Sequence, residues 1–173
     1  MKQQTGKPMI KKICMLVCSL MITAGSLSAQ VISELPPFER AIAVIKHFEG
    51  LHNKAEHYPY VGYGHKVLPG ENLSMDMTEE EADRLLRSDL MKLCKMFSGY
   101  GQDSLLLATL AYNVGAYRLL GYGGRPKSRL VQMLDEGDRN IYREYITFRK
   151  YKGKVIPSLE LRRRMEFELL YIP

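Results

Sequence analysis

A single glycine-spaced segment at residues 61–65, with the sequence Val-Gly-Tyr-Gly-His, interrupts a chain whose apolar residues otherwise follow helical spacing. Glycines that alternate with aromatic and β-branched residues are typical of a short hairpin in which two backbones approach closely. Before this segment, apolar side chains three or four positions apart predict an amphipathic helix that follows Pro36-Pro37 and ends at Gly50. The chain must therefore combine one small hairpin with a set of helices.

Several further helices are predicted after the hairpin. Thr78 and Glu81 have the spacing of a capping box, and an apolar stripe follows them up to Phe97. Residues 105–114 are apolar nearly all round, which predicts a buried central helix that ends at Gly115. The remaining predicted helices cover residues 127–136, 140–149 and 159–171. We therefore expect an α+β fold that is mostly α, with a small hairpin lobe attached to a helical bundle lobe.

The first 29 residues have the pattern of a secretory signal peptide. Lys7, Lys11 and Lys12 precede an apolar run over residues 13–24, and small residues follow up to Ala29. The run is shorter than the roughly 20 residues that span a bilayer, although an uncleaved anchor and a lipoprotein stay open as alternatives. We predict cleavage after Ala29, a mature domain over residues 30–173 without a stable membrane anchor, and a periplasmic or extracellular location.

Charge and cysteine content exclude two classes of protein. The chain has 25 basic and 19 acidic side chains, but four of the lysines lie in the first 30 residues, which contain no acid. The remaining 21 basic residues nearly balance the 19 acidic ones, so we predict no basic face for nucleic acid and no nucleic-acid partner. Cys94 is the one cysteine left after cleavage, which excludes an internal disulfide. Its apolar neighbours predict a small buried hydrophobe rather than a nucleophile.

The most informative stretch for chemistry runs from His47 to His52. Glu49 lies one residue before the glycine that ends the predicted first helix, so its carboxylate is expected at a helix end beside the hairpin. The apolar side chains of Phe48 and Leu51 flank it, and partial desolvation favours the protonated carboxyl that a general acid needs. A glutamate near a helix end is also commonly solvated or capping, so this pattern alone is a weak indication of catalysis.

Five segments taken in order give a stronger indication. Residues 49–65 (EGLHNKAEHYPYVGYGH) place a Glu-Gly pair before a Gly-aromatic-Gly-His strand. The other segments are 77–90 (MTEEEADRLLRSDL), 110–115 (LAYNVG), 126–138 (PKSRLVQMLDEGD) and 158–171 (SLELRRRMEFELLY). Over roughly residues 38–171 their order and spacing resemble the phage-type lysozymes of glycoside hydrolase family 24, which are muramidases that cut the glycan strands of peptidoglycan.

The resemblance implies a lysozyme-like fold and a bacteriolytic enzyme that cleaves the β-1,4 bond between N-acetylmuramic acid and N-acetylglucosamine. The hairpin variant at residues 58–65 also resembles exported lysozyme-like proteins of Bacteroidetes, some of which are carried with conjugation genes. A secretion or conjugation apparatus is therefore a candidate partner besides peptidoglycan, and we expect a monomer. The sequence does not decide between local remodelling of the wall and lysis.

Carried over residue by residue, the resemblance implies that Glu49 is the general acid that protonates the departing glycosidic oxygen. It implies that Arg162 faces this glutamate across the cleft, where we assign it to substrate binding, although Arg162 could equally pair with Glu166 one helical turn away. Asn113, at the end of the central helix, is implied to face the substrate, with a purely structural partner as the alternative. The implied structural neighbours of the site are His65, Gly62 and Gly64.

The sequence departs from the family between Glu49 and His65. The family places an aspartate and then a threonine there to position the attacking water, whereas this loop is shorter, contains no aspartate and has Tyr60 at the threonine position. An inverting glycosidase needs a base about 6.5–9.5 Å from the acid, which Glu56 or His57 could supply. Two alternatives stay open: a single-glutamate lytic transglycosylase, and a catalytically weak or inactive peptidoglycan-binding protein.

Tyrosines on the hairpin are candidates for sugar binding. Tyr60 and Tyr63, together with Tyr58, suit stacking against sugar rings, although packing within the hairpin would explain two of the three equally well. We assign Tyr60 and Tyr63 to substrate binding on this basis.

Two other clusters have less support as functional sites. All four histidines lie within residues 47–65 alongside two glutamates, and such groups can bind zinc. Their spacing lacks a tight ligand pair, so we predict no metal and no cofactor. The three arginines at 162–164 lie among glutamates, which predicts an ion-paired helix face rather than a phosphate-binding patch.

Overall fold

Helices account for most of the fold between Pro37 and Pro173, and two short antiparallel hairpins complete it. The computed structural model describes residues 32–173, so the predicted signal peptide over residues 1–29 lies outside the described residues. The helices are α1 (Pro37–Glu49), α2 (Glu79–Met96), α3 (Ser104–Val114), α4 (Ala116–Leu120), α5 (Arg129–Asp135), α6 (Tyr142–Ile146) and α7 (Pro157–Leu170). The strands are β1 (Tyr60–Val61), β2 (His65–Lys66), β3 (Lys150–Tyr151) and β4 (Lys154–Val155). Short 3₁₀ turns cover Ala55–His57, Ser98–Asp103 and Thr147–Arg149.

The first hairpin lies against the start of α2. β1 pairs antiparallel with β2, with Val61 opposite His65. His52 and Gly62 exchange two further backbone hydrogen bonds of 2.7 and 2.9 Å. A Cβ on Gly62 would lie 3.3 Å from both Ala82 Cβ and Met77 Sδ, so only glycine lets the hairpin approach this closely. The predicted close approach of backbones at this segment is confirmed.

α3 forms the centre of the core. Its residues 106–111 are all buried, and the helix packs against α1, α2 and α7 before it ends at Gly115. The prediction of a buried central helix is confirmed, because an element that is apolar all round needs neighbours on every side. The capping box of α2 is also confirmed: Thr78 Oγ1 accepts a hydrogen bond from the Glu81 backbone N–H, and the Glu81 carboxylate accepts one from the Thr78 N–H.

Three elements differ from the sequence-based prediction. The helix α4 directly after Gly115 and the second hairpin, β3–β4, were not predicted. The helix expected over residues 140–149 is shorter, because α6 gives way to the 3₁₀ turn Thr147–Arg149 before β3 begins. The turn between β3 and β4 uses positive φ angles at both Lys152 and Gly153. A lysine seldom adopts this conformation, so the pair is a weak turn signal in a sequence.

Cys94 is half-buried and is a free thiol, and burial raises its pKa. This environment keeps the thiol protonated and agrees with the predicted role as a small hydrophobe. Within residues 32–173, no helix combines the length and apolar character that crossing a membrane requires.

Candidate active site

Glu49 is the last residue of α1 and is held between the first hairpin and α7. Its side chain is 21% exposed, and Oε1 accepts a hydrogen bond of 2.6 Å from Arg162 Nη1. On the other side, a Cβ built on Gly64 would lie 3.3 Å from Oε2. Gly64 also has a φ of +89°, which favours glycine. The carboxylate is therefore fixed by an arginine on one oxygen and bordered by a glycine at the other.

Arg162 contacts two carboxylates at once. Its side chain is only 3% exposed; Nη1 donates to Glu49, and Nε donates to Glu166 Oε1 at 2.8 Å. The guanidinium carbon also lies 5.6 Å from the centroid of the Phe48 ring. Burial opposes the charged form, but Glu166 and Glu49 outweigh it and raise the pKa of Arg162. The two roles considered from the sequence, facing Glu49 and pairing with Glu166, are thus both present in the structure.

Glu166 is the acceptor at the centre of a fully buried network. Besides Arg162, its Oε1 accepts from Arg163 Nη2 at 3.1 Å, and its Oε2 accepts from the Tyr145 hydroxyl at 2.8 Å. Burial raises the pKa of the Glu166 carboxyl, and the two guanidinium groups oppose that rise. Burial lowers the pKa of Arg163 and raises that of Tyr145. In the ionised state the network of Arg162, Arg163, Glu166 and Glu49 carries no net charge.

The predicted ion-paired face of the last helix needs correction. Arg162, Arg163 and Glu166 are ion-paired, but they lie in the core, because this side of α7 packs against α1, α3 and α6. Arg164 alone matches the expected surface pattern, with Nη2 2.7 Å from Glu160 on the exposed side. Sequence reasoning missed Arg163, Glu166 and Tyr145 as neighbours of the site. The i,i+4 spacing of Arg162 and Glu166 was the available signal, and it does not distinguish a buried pair from an exposed one.

Asn113 joins this network through its amide oxygen. Oδ1 accepts a hydrogen bond of 3.1 Å from Arg163 Nη2, so the side chain has the internal partner that the structural alternative required. The residue before it, Tyr112, donates from its hydroxyl to the backbone oxygen of Tyr63 at 2.8 Å. The end of α3 therefore contacts both the buried arginines and the first hairpin. A substrate contact for Asn113 stays a prediction.

The two hairpin tyrosines have different environments. Tyr60 is 44% exposed, so part of its ring is available to a ligand. Tyr63 is 6% exposed, its hydroxyl donates to Glu79 Oε1 at 3.0 Å, and Lys46 Nζ lies 4.9 Å from its ring centroid. A ring covered in this way packs the hairpin and does not stack on a sugar. We therefore correct the assignment of Tyr63 from substrate binding to hairpin packing.

His65 lies between two carboxylates, in line with the structural role that the resemblance implied. Nδ1 is 2.5 Å from Asp89 Oδ2 and Nε2 is 2.9 Å from Glu71 Oε2. Burial lowers the pKa of His65, but the two acceptors outweigh it and the net direction is upward. The ring therefore ties β2 to α2 and to the loop that contains Glu71, and this environment favours its protonated form.

The candidate base Glu56 lies on the 3₁₀ turn Ala55–His57. Its side chain is 74% exposed, and His57 Nε2 lies 3.9 Å from its Oε1. Among residues 32–173, no hydrogen bond or ion pair joins Glu56 to Glu49 or Arg162. No group of three or more histidine, cysteine, aspartate or glutamate side chains in this part of the chain has the arrangement of a metal site.

Comparison with known proteins agrees with this geometry. The family model described as phage lysozyme matches residues 46–166, from the end of α1 to Glu166 on α7. The chain belongs to the phage lysozyme family. Phage lysozymes are glycoside hydrolases, and family membership supports peptidoglycan cleavage as the class of activity and peptidoglycan as the substrate.

Solved structures support the phage lysozyme fold. The chain is similar to the muramidase domain of SpmX from Asticaccaulis excentricus, with 24% sequence identity and a TM-score of 0.56. The match covers 78% of this chain and 96% of that domain. No curated protein matches the chain. The predicted lysozyme-like, mostly α architecture is confirmed, whereas the resemblance to Bacteroidetes proteins stays a prediction.

Proposed function

We propose that this phage lysozyme cleaves the β-1,4 bond between N-acetylmuramic acid and N-acetylglucosamine, with Glu49 as the general acid. The observation that supports this role most strongly is the placement of the Glu49 carboxylate between Arg162 and Gly64. Its partial exposure leaves it open to a substrate, and its fixed geometry suits transfer of a proton to the departing glycosidic oxygen. We revise the assignment of Arg162 from substrate binding to positioning of this carboxylate, because its side chain is only 3% exposed.

The second half of the reaction has two candidate routes. In the hydrolytic route, Glu56 or His57 activates a water on the opposite face of the sugar, and the product has a reducing end. In the transglycosylase route, Glu49 protonates the leaving glycosidic oxygen, and the Glu49 carboxylate so formed then takes the proton of a muramic acid hydroxyl as that hydroxyl bonds to the anomeric carbon of the same sugar. The exposure of Glu56 and its lack of any contact with Glu49 favour keeping this second route as a candidate.

Tyr60 and Asn113 are the proposed substrate contacts. Tyr60 offers an exposed aromatic face on the hairpin, which suits a sugar ring. Asn113 lies at the end of α3, where its remaining amide hydrogens suit an acetamido or hydroxyl oxygen. We further propose that the enzyme works as a monomer in the periplasm or outside the cell, where a secretion or conjugation apparatus is a candidate partner.

Mass spectrometry of the fragments released from purified sacculi tests the proposal. Hydrolysis gives muropeptides with reducing ends, transglycosylation gives anhydro-sugars, and a binding protein releases nothing while it cosediments with the sacculi. The Glu49→Gln variant should release no fragments, whereas Glu168→Gln on the exposed side of α7 should match the parent. Release by Glu49→Gln at the parental rate would show that another residue is the acid.

A further inference from the structure

We propose that Glu166, held by Tyr145, is a positioning residue for the general acid. This inference rests on the proposed function of Glu49. Glu166 touches neither substrate nor Glu49. It acts by fixing the guanidinium plane of Arg162 and by balancing part of the positive charge of Arg162. The result is a two-step connection from the core to the catalytic carboxylate, from Glu166 to Arg162 and from Arg162 to Glu49.

The geometry of the guanidinium makes the connection directional. Nε and Nη1 belong to one rigid planar group, so a hydrogen bond that fixes Nε also fixes where Nη1 points. Arg162 Nε lies 2.8 Å from Glu166 Oε1, and Nη1 lies 2.6 Å from Glu49 Oε1. Because Arg162 and Glu166 are four residues apart on α7, the helix itself sets the distance between them.

Glu166 is itself unable to turn. Both of its oxygens are occupied, Oε1 by the two arginines and Oε2 by the Tyr145 hydroxyl, and the side chain has no exposed surface. The Tyr145 ring is likewise buried and packs edge-on against Phe167, with ring centroids 5.5 Å apart. The most rigidly held residue of the network, Glu166, therefore lies in the core, and Arg162 alone stands between it and Glu49.

The second effect is electrostatic. A general acid must carry a proton when substrate is bound, whereas a guanidinium beside it favours the ionised form. Glu166 supplies a second negative charge next to Arg162, which reduces the extent to which the guanidinium stabilises the ionised Glu49 carboxylate. The other titratable groups that interact with Arg162 are Arg163 on the same helix, Tyr145 on α6 and Tyr112 on α3, of which only Arg163 is charged.

Two variants of Glu166 separate the two effects. Glu166→Gln keeps the length and can still accept from Arg162, but it removes the negative charge. The alkaline limb of the pH profile of kcat/KM should therefore move to lower pH, because Glu49 then loses its proton more easily. Glu166→Asp keeps the charge but is too short to reach both partners. It should leave the limb near its parental position while kcat falls by up to about 10²-fold with KM little changed.

Glu160→Gln is the matched control. Glu160 also accepts from two arginines, Arg149 at 2.8 Å and Arg164 at 2.7 Å, but it lies on the exposed side of α7. This variant should keep the parental kcat and the parental pH profile. If Glu166 had a purely structural role, Glu166→Gln would lower the thermal unfolding temperature and the folded fraction without moving the alkaline limb. The pH profile of kcat/KM therefore distinguishes the two roles.

Tyr145→Phe covers the case in which neither Glu166 variant folds. It removes one hydroxyl and keeps the buried ring, and it should lower kcat several-fold while KM stays near the parental value. An unchanged alkaline limb in Glu166→Gln, or parental kcat in Tyr145→Phe, would overturn the inference. The proposed function is tested separately: it fails if Glu49→Gln retains activity, and it survives if Glu49→Gln is inactive while the Glu166 and Tyr145 variants behave like the parent.

Discussion

Arg162 Nη1 lies 2.6 Å from Glu49 Oε1, so an ion pair joins the last helix to the end of the first. The two residues are far apart in sequence, and each is held by its own local structure: Glu49 by the end of α1 and Arg162 by its bond to Glu166. Most of the arginine is buried and part of the glutamate is exposed, which leaves the carboxylate free to meet a ligand. The predictions below concern this pair and the elements that hold it.

Replacement of Glu49 by glutamine should abolish most of the activity while the fold is retained. Glutamine keeps the size and can accept a hydrogen bond from Arg162, but it has no proton to give to a leaving oxygen. General acid catalysis contributes about 10²–10⁴-fold, so release of muropeptides should fall by at least that factor. Thermal unfolding, recorded alongside Glu168→Gln, should show that both variants are folded. Comparable activity in the two variants would contradict the assignment.

Replacement of Glu56 by glutamine should discriminate between the two routes. A loss of activity comparable to that of Glu49→Gln supports Glu56 as the base of a hydrolase. Retained activity with anhydro-sugar products supports the transglycosylase route. Retained activity with reducing-end products indicates that His57 is the base of a hydrolase. Glu80→Gln is the control, because the Glu80 side chain is also strongly exposed. Fragment mass spectrometry of the parent and of the Glu49→Gln, Glu56→Gln and Glu80→Gln variants makes the comparison.

Gly64→Ala should damage catalysis more than its effect on stability explains. The φ of +89° costs an alanine about 1–2 kcal/mol, and the new Cβ would lie 3.3 Å from Glu49 Oε2. Gly70 provides the control, since its φ is +91° and nothing lies within 4 Å of a Cβ there. Both variants should lose similar stability in denaturant unfolding, and only Gly64→Ala should also lose kcat. Equal activities would show that the carboxylate tolerates the displacement.

The hairpin should lose stability as the pH rises. The pKa of His65 is raised above its ordinary value of 6.5 by Asp89 and Glu71, so folding favours the protonated ring. Its contribution is complete below pH 6.5 and is lost as the pH rises through the folded-state pKa. At the acid end, His65 lowers the pKa of Glu71, so this partner is lost as the pH falls below 4.5.

Denaturant unfolding of the parent and of His65→Gln over a pH series checks this expectation. The difference in unfolding free energy between the two proteins should be largest between pH 4.5 and pH 6.5 and should become smaller at higher pH. His47→Gln, at an exposed position on α1, should run parallel to the parent. A difference that grows as the pH rises above 6.5 would contradict the sign of the His65 shift.

Local sequence patterns predicted the elements that position the site. The end of α1 at Gly50, the hairpin glycines and the buried α3 all depend on residues that are near one another in the chain, so spacing and residue type were sufficient. α4 and the second hairpin escaped prediction because their signals are short. A five-residue helix offers no apolar period, and a turn through Lys152 and Gly153 has only one of the two residue types that such turns favour.

The burial of charged residues could not be predicted in the same way. Arg162, Arg163 and Glu166 have the composition of a solvated helix face, and their spacing suits a surface ion pair equally well. What places them in the core is the packing of α7 against α1, α3 and α6, which is a property of the whole fold. Tyr63 is a similar case, because its hydrogen bond to Glu79 depends on where the hairpin meets α2.

Arg162→Lys should separate charge from geometry at the central ion pair. Lysine keeps a positive charge but offers one nitrogen on a flexible stem, so it does not hold Glu49 and Glu166 in a fixed relation as the planar guanidinium does. Activity should fall by up to about 10²-fold, as expected for a displaced catalytic group. The unfolding free energy should fall by less than the about 3–5 kcal/mol that loss of one partner from a buried pair costs.

The control for this variant is Arg164→Lys, on the exposed side of the same helix. Its partner Glu160 is a surface residue, so the substitution should change stability by less than about 1 kcal/mol and leave activity at the parental level. Parental activity in Arg162→Lys would mean that a point charge beside Glu49 is sufficient. A loss of activity in an Arg162→Lys protein that stays folded would mean that catalysis depends on the rigid contact of the guanidinium with both carboxylates. That contact is the feature that lysine does not reproduce.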